Sequence, residues 1–176
     1  MRADIAHIRT WSSQARRWYR HALELRARGR FDVAADLLAR TLVLQPSSAL
    51  LREQVAVTQF RAGHLIGART TFTAMVAVDP RDEYALYGLG VVEAKLGRLG
   101  VAEVDLATAA EVRPDTAAYE DALDRVRRAL AEGYPPRPPG LVRQPDGQLR
   151  PVVPALPEAV RDLALAPRPV AGGTDV

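Results

Sequence analysis

The segment ARRWYRHALELRARGRFDVAADLLARTLVLQP, residues 15–46, decides the fold, because its punctuating residues return at one interval further along the chain. Gly29, Gly63 and Gly97 are 34 residues apart, as are Ala34, Ala68 and Ala102, and again Pro46, Pro80 and Pro114. A fixed period between about 20 and 50 residues marks stacked units, each too small to bury its own apolar face without its neighbours. Inside the unit, Trp18, Ala22 and Leu25 precede Gly29, and Ala34, Leu37, Leu38 and Leu42 precede Pro46, all at helical steps. Each unit is therefore two short helices. Glycine suits the end of the first, where a left-handed residue costs other side chains about 1–2 kcal/mol. Proline suits the break after the second, because it cannot continue the backbone ladder. Ser48, Asp82 and Thr116 stand two residues after the prolines, each placed to offer a side-chain oxygen to the free amides of the next helix.

Composition sets the outer bounds. The chain has 176 residues, 48% of them hydrophobic and 26% charged, which describes one modest globular domain. Cysteine is absent, so disulfides, thiolate metal sites and a cysteine nucleophile are excluded. The first residues carry charge where a signal peptide needs an apolar run, and no 18 apolar residues stand together, so a cytoplasmic protein without a membrane span is expected. The net charge is +3 with a pI near 9.7. Its basic set is 23 arginines beside the single Lys95, a bias that with the many alanines points to a GC-rich genome.

The 34-residue unit resembles the tetratricopeptide repeat, whose pattern is W-x2-L-G-x2-Y, then A-x3-F, then P. Repeat one offers Trp18, His21-Ala22, Leu25, Ala34, Leu38 and Pro46; repeat two offers Arg52, Val55-Ala56, Gln59, Ala68, Phe72 and Pro80; repeat three offers Leu86, Leu89-Gly90, Glu93, Ala102, Leu106 and Pro114. The resemblance implies an all-α, right-handed superhelical stack of helix-turn-helix units, of a small three-repeat bacterial type, with repeats at 15–48, 49–82 and 83–116. Gln59 and Glu93 depart from the pattern at the tyrosine place, and Met75 stands where repeat three has the small Ala109. Tyr119, Ala122, Leu123, Val126 and Leu130 continue at helical spacing and predict a cap helix over 117–132, closing a repeat domain at 15–133. Ile5, Ile8, Trp11 and Ala15 place a covering segment over 1–14.

Ten of the thirteen prolines follow residue 134, so residues 134–176 are expected to be a disordered tail with polyproline II stretches. Within it, Pro157 to Leu163 has proline at a helix start, acids in the first turn, and Leu156, Val160 and Leu163 on one side. Such a tail is long enough to return to its own domain, with Glu158 and Asp162 placed to meet arginines.

In the resemblance, the first helices of successive repeats line a concave groove. Alternating steps of three and four place Arg16, Tyr19, Arg20, Leu23 and Arg26 on it from repeat one, with Leu50, Glu53, Gln54, Val57, Phe60 and Arg61 from repeat two. Tyr84, Tyr87, Gly88, Val91, Ala94 and Lys95 follow from repeat three. Five of these are positive and one negative, with aromatic rings interleaved, a composition suited to an acidic or C-terminally anchored peptide. The expected function is a non-catalytic adaptor or scaffold that holds a partner protein or peptide. Relatives that clamp a chaperone's terminal carboxylates use basic and amide side chains where this chain has Tyr19, Leu23, Gln54, Tyr84 and Gly88, so that clamp is essentially absent. Gly88 either admits a ligand backbone or is a tolerated helix glycine. A second reading is nucleic-acid binding through Arg16, Arg17, Arg20, Arg26, Arg28 and Arg30, which would make affinity fall steeply with salt.

Catalysis finds no carrier. His21 stands among packing residues and reads as a core or boundary histidine, while His7 and His64 have no partner by sequence. Ser12, Ser13, Ser47 and Ser48 lie near helix starts, where capping explains them. Acidic residues lack the pairing of a metal or glycosidic site, and neither a phosphate loop nor a dinucleotide fingerprint occurs. No cofactor and no metal are expected, and the stack does not require oligomerisation.

Overall fold

A computed structural model describes residues 8, 10–134, 141–143, 148–151 and 155–169. The repeat region is a run of seven helices: α1 (Ser13–Ala27), α2 (Phe31–Leu44), α3 (Ala49–Arg61), α4 (Leu65–Val78), α5 (Glu83–Lys95), α6 (Leu99–Val112) and α7 (Ala117–Ala131). Each packs against the next in sequence, and α5 also touches α3 and α7. The first helices of the pairs therefore share one face of the stack.

The punctuation works through hydrogen bonds. Gly29, Gly63 and Gly97 have φ of 74°, 77° and 76°. This lets the next amide turn back: Arg30, His64 and Arg98 each donate, at 2.9 Å, to the carbonyl five residues earlier, on Leu25, Gln59 and Glu93. Ser12 accepts from the Ala15 amide at 3.1 Å, Ser48 from Leu51 at 3.2 Å and Asp82 from Ala85 at 3.1 Å. Thr116 differs from the expectation. Its side chain makes no cap bond; its backbone carbonyl instead accepts from the Tyr119 amide at 2.8 Å, directly after Asp115 at φ 67°.

Small residues set the helix spacing. Ala22, Ala34, Ala56, Ala68 and Ala102 are fully buried, and a Cβ on Gly90 would stand 2.6 Å from Leu106 Cγ. Such closeness leaves no room for even one added carbon. Two apolar clusters result. Trp11, Ala15, Tyr19, Ala22, Leu38, Leu51 and Val55 form the smaller, where Trp11 meets Tyr19 edge to face with centroids 5.3 Å apart. Of the covering segment, residues 1–7 and 9 lie outside the described residues.

The larger cluster runs through α4 to α7 and includes Val160, Leu163 and Leu165. Here the structure corrects the expectation of a coil after residue 134, over residues 155–169. Those residues carry a short helix, α8 (Glu158–Arg161), followed by an extended stretch against α5 and α7. Burial of three apolar side chains offsets part of the ordering entropy that composition alone suggested could not be recovered. A two-stranded antiparallel hairpin, β1 (Leu141–Arg143) with β2 (Leu149–Pro151), lies earlier in the tail, with Val142 opposite Arg150. The expectations for residues 135–140, 144–147, 152–154 and 170–176 lie outside the described residues.

Candidate functional site

The face expected to be the groove is the one shared by α1, α3, α5 and α7, and its two halves are unlike. On the half formed by α1 and α3, Arg20 and Leu23 are exposed, Leu23 by 38%. Arg16 donates to the Trp11 carbonyl at 2.6 Å, and Tyr19 is buried beneath Trp11. Arg26 donates to Gln54 Oε1, and Arg61 lies 5.5 Å from the Phe31 ring centroid. Burial lowers the pKa of Arg26, and the neighbouring positive charge of Arg61 lowers it further. Arg26, Glu53, Gln54, Val57, Arg61 and Tyr84 line one cleft of about 290 Å³, closed on its far side by Leu165, Ala166, Pro167 and Arg168. Phe60 and Val57 pack partly buried on the larger core.

On the half formed by α5 and α7 the chain's own segment fills the face. Tyr84 donates its hydroxyl to the Ala166 carbonyl at 3.0 Å. Tyr87 donates to the Ala164 carbonyl at 3.0 Å and accepts from the Ala166 amide at 3.1 Å. Arg125 Nε donates to the Ala159 carbonyl at 2.6 Å, and Lys95 Nζ donates to the Arg161 carbonyl. Burial lowers the Lys95 pKa, against the raising effect of Asp162. Tyr87 stacks on Tyr119 with centroids 4.7 Å apart. Burial is the first cause of the raised pKa of both Tyr84 and Tyr87, so both hydroxyls stay protonated donors at neutral pH.

The segment's far end is held by charge. Arg168 Nε lies 2.8 Å from Glu53 Oε2, and its Nη2 donates to both Asp82 oxygens at 2.7 and 2.9 Å. Its guanidinium carbon sits 5.0 Å from the Tyr84 ring centroid. Burial alone would lower the Arg168 pKa; Glu53 and Asp82 outweigh it and raise the value.

Several expected placements change. Gly88 does not face a ligand: a Cβ there would stand 2.4 Å from the Phe72 ring, so its smallness serves the contact with α4. Val91 and Ala94 are fully buried in the core. His21 is not in the core; its side chain is 60% exposed, 3.6 Å from Glu24, on the side of α1 that shares a surface cleft with Asp36 and Arg40 of α2. The expected return of the tail occurs, but Glu158 and Asp162 only border the cleft with Asp121, Arg125 and Arg128, while backbone carbonyls, apolar side chains and Arg168 make the contacts. Sequence reading missed Asp82, Tyr119, Arg125 and Arg168 as groove residues. Asp82 had been explained as a cap, which it also is.

Among the described residues, no group of His, Cys, Asp and Glu is placed to hold a metal ion, and no helix is long and apolar enough to cross a membrane. No protein-family model and no curated protein matches the chain. Solved structures do. The first such domain of Spaghetti (RPAP3), bound to the HSP90 peptide SRMEEVD, is 22% identical over 68% of this chain and 95% of its own, with a TM-score of 0.61. The Sgt2 domain from Aspergillus fumigatus is 17% identical over 78% and 93%, with a TM-score of 0.62. PcrH in complex with the chaperone-binding region of PopB is 16% identical over 68% and 97%, with a TM-score of 0.54. The molecule is thus a superhelical stack of helix pairs. Its fold is that of the tetratricopeptide repeat.

Proposed function

We propose that this protein is a non-catalytic interaction module that holds a segment of a partner polypeptide in its concave groove. The observation that carries this reading is that residues 163–169 already lie there extended, gripped through their carbonyls and one amide by Tyr84 and Tyr87. Hydrogen bonds to backbone groups suit any polypeptide, and the side chains between them supply selection. Structural neighbours support it: one has an HSP90 peptide bound and another the chaperone-binding region of PopB.

The half formed by α1 and α3 takes the partner's acidic stretch. Arg16, Arg20, Arg26 and Arg61 gather there, and the depressed Arg26 pKa reports burial and a neighbouring like charge that an incoming carboxylate would relieve. Arg20 is exposed on this half and available to such a segment. The test is affinity capture from the native organism with the full chain and with Arg20→Glu/Arg61→Glu. The double variant keeps its circular dichroism and loses the captured proteins, whereas nuclease treatment leaves capture intact. Recovery of the same proteins by the double variant overturns the reading.

A further inference from the structure

We infer that Glu53, Asp82 and the Tyr84 ring form an arginine-recognition pocket in the groove. Arg168 is its resident occupant, and the pocket selects extended peptides carrying an arginine just beyond paired apolar side chains. The inference rests on the reading of the groove as a polypeptide site and adds what the junction of its two halves, between α3 and the start of α5, recognises.

The pocket is more than a surface ion pair. Two carboxylates from different helices converge on one guanidinium, at 2.8 Å from Glu53 and at 2.7 and 2.9 Å from Asp82, and an aromatic face covers it at 5.0 Å. Both carboxylate side chains are only 18% exposed. Removing the guanidinium would leave Glu53 and Asp82 facing each other half-desolvated, so the pocket demands a cation.

The repeat pattern accounts for Asp82, which also caps α5, but not for Glu53 or Tyr84. One period away from Glu53 stand Tyr19 and Tyr87, and one period away from Tyr84 stand Leu50 and Ala118. On the chain's own segment, the matching features are Leu163 and Leu165, 4% and 9% exposed, followed by Arg168. Tyr84 links the two parts, donating to the Ala166 carbonyl while its ring covers Arg168. Arg168 itself lines two clefts, of about 350 and 290 Å³, the first shared with Glu53 and Asp82 and the second with Glu53 and Tyr84.

Because the segment is covalently tethered, its seating is intramolecular and outcompetes the same sequence supplied free. A fluorescein-labelled peptide of residues 155–169 provides the probe, read by anisotropy against the full-length chain. Binding to the wild type is expected to be at least about tenfold weaker than to the full-length Leu163→Asp/Arg168→Ala variant, whose own segment is released. Replacing the peptide's arginine with alanine lowers affinity for that variant by about tenfold or more. Adding Glu53→Arg to the released variant abolishes binding of the parent peptide, and a peptide with Arg168→Glu restores it.

Equal binding of the arginine and alanine peptides to the released chain overturns the inference, as does equal binding of the parent peptide to wild type and released variant. Thermal melts confirm that each variant folds, and Glu53→Gln, which removes charge without adding bulk, replaces Glu53→Arg where the latter does not. These outcomes separate from the partner reading. Peptide selection without capture by the basic half refutes that reading alone, and capture without arginine selection refutes this inference alone.

Discussion

The α1 and α5 helices occupy equivalent places in their repeats, yet they end in opposite conditions. In α1 only Ala15, Tyr19 and Ala22 are buried; α5 is buried at every residue from Tyr84 to Ala94. Leu23 is 38% exposed, while Val91, two periods later, has no exposure. Two neighbours make the difference: α5 packs between α4 and α6 and lies under the returning segment, whereas α1 begins the stack and packs on α2 alone among its sequence neighbours. A residue's role in a repeat stack is therefore set by its neighbours outside the repeat as much as by its place in the period.

The largest expected effect breaks the comparison from the covered side. Gly88→Val drives a side chain into the Phe72 ring and lowers unfolding free energy by about 2–3 kcal/mol in urea titration, whereas Arg20→Val, two periods earlier on exposed α1, changes it by less than about 0.5 kcal/mol. Next, Tyr87→Phe removes one donated and one accepted bond to the returning segment. Opening of residues 158–168, followed by hydrogen exchange and mass spectrometry, should become easier by about 1–2 kcal/mol, with exchange in α1 and α2 unchanged.

A third prediction concerns the back of the covered half. Burial first, and Glu93 second, raise the Asp105 pKa to about 6. Asp105 Oδ2 has no hydrogen-bond partner among the described residues, and Glu93 Oε2 lies 3.2 Å from Arg98 Nε without hydrogen-bond alignment. An unfolded aspartate titrates near 4, so between about pH 4 and 6 the folded state holds a proton that the unfolded state releases. This group's contribution to stability is greatest below pH 4, falls through that window and is flat above it. Asp105→Asn therefore stabilises at pH 7 by about 1 kcal/mol, after allowance for partial exposure, and the gain vanishes below about pH 4. The smallest effect is at Tyr119, whose buried hydroxyl has no partner among the described residues. Tyr119→Phe changes melting by less than about 0.5 kcal/mol and does not destabilise.

Periodicity made the repeats legible. Gly29, Gly63 and Gly97 with Ser48 and Asp82 act through bonds within a few residues, and such local rules can be read along a chain. Gly88 was not legible, because its meaning depends on Phe72 in the preceding repeat. Nor was the split charge of the groove. Counting inward residues gave five positive charges against Glu53 alone, yet Asp82 joins Glu53 and turns that place into a seat for Arg168. The apolar spacing of Leu156, Val160 and Leu163 could be read in the sequence, but Arg168 and Asp82 lie 86 residues apart, beyond any periodic signal.

The amide of Ala166 tests the account most directly. It donates to the Tyr87 hydroxyl only when the segment is seated. Measured by NMR hydrogen exchange in the full-length protein, it should exchange at least about tenfold more slowly than in the free peptide of residues 155–169 and should lose that protection in Leu163→Asp/Arg168→Ala. Exchange at the free-peptide rate in the wild-type chain would contradict the account.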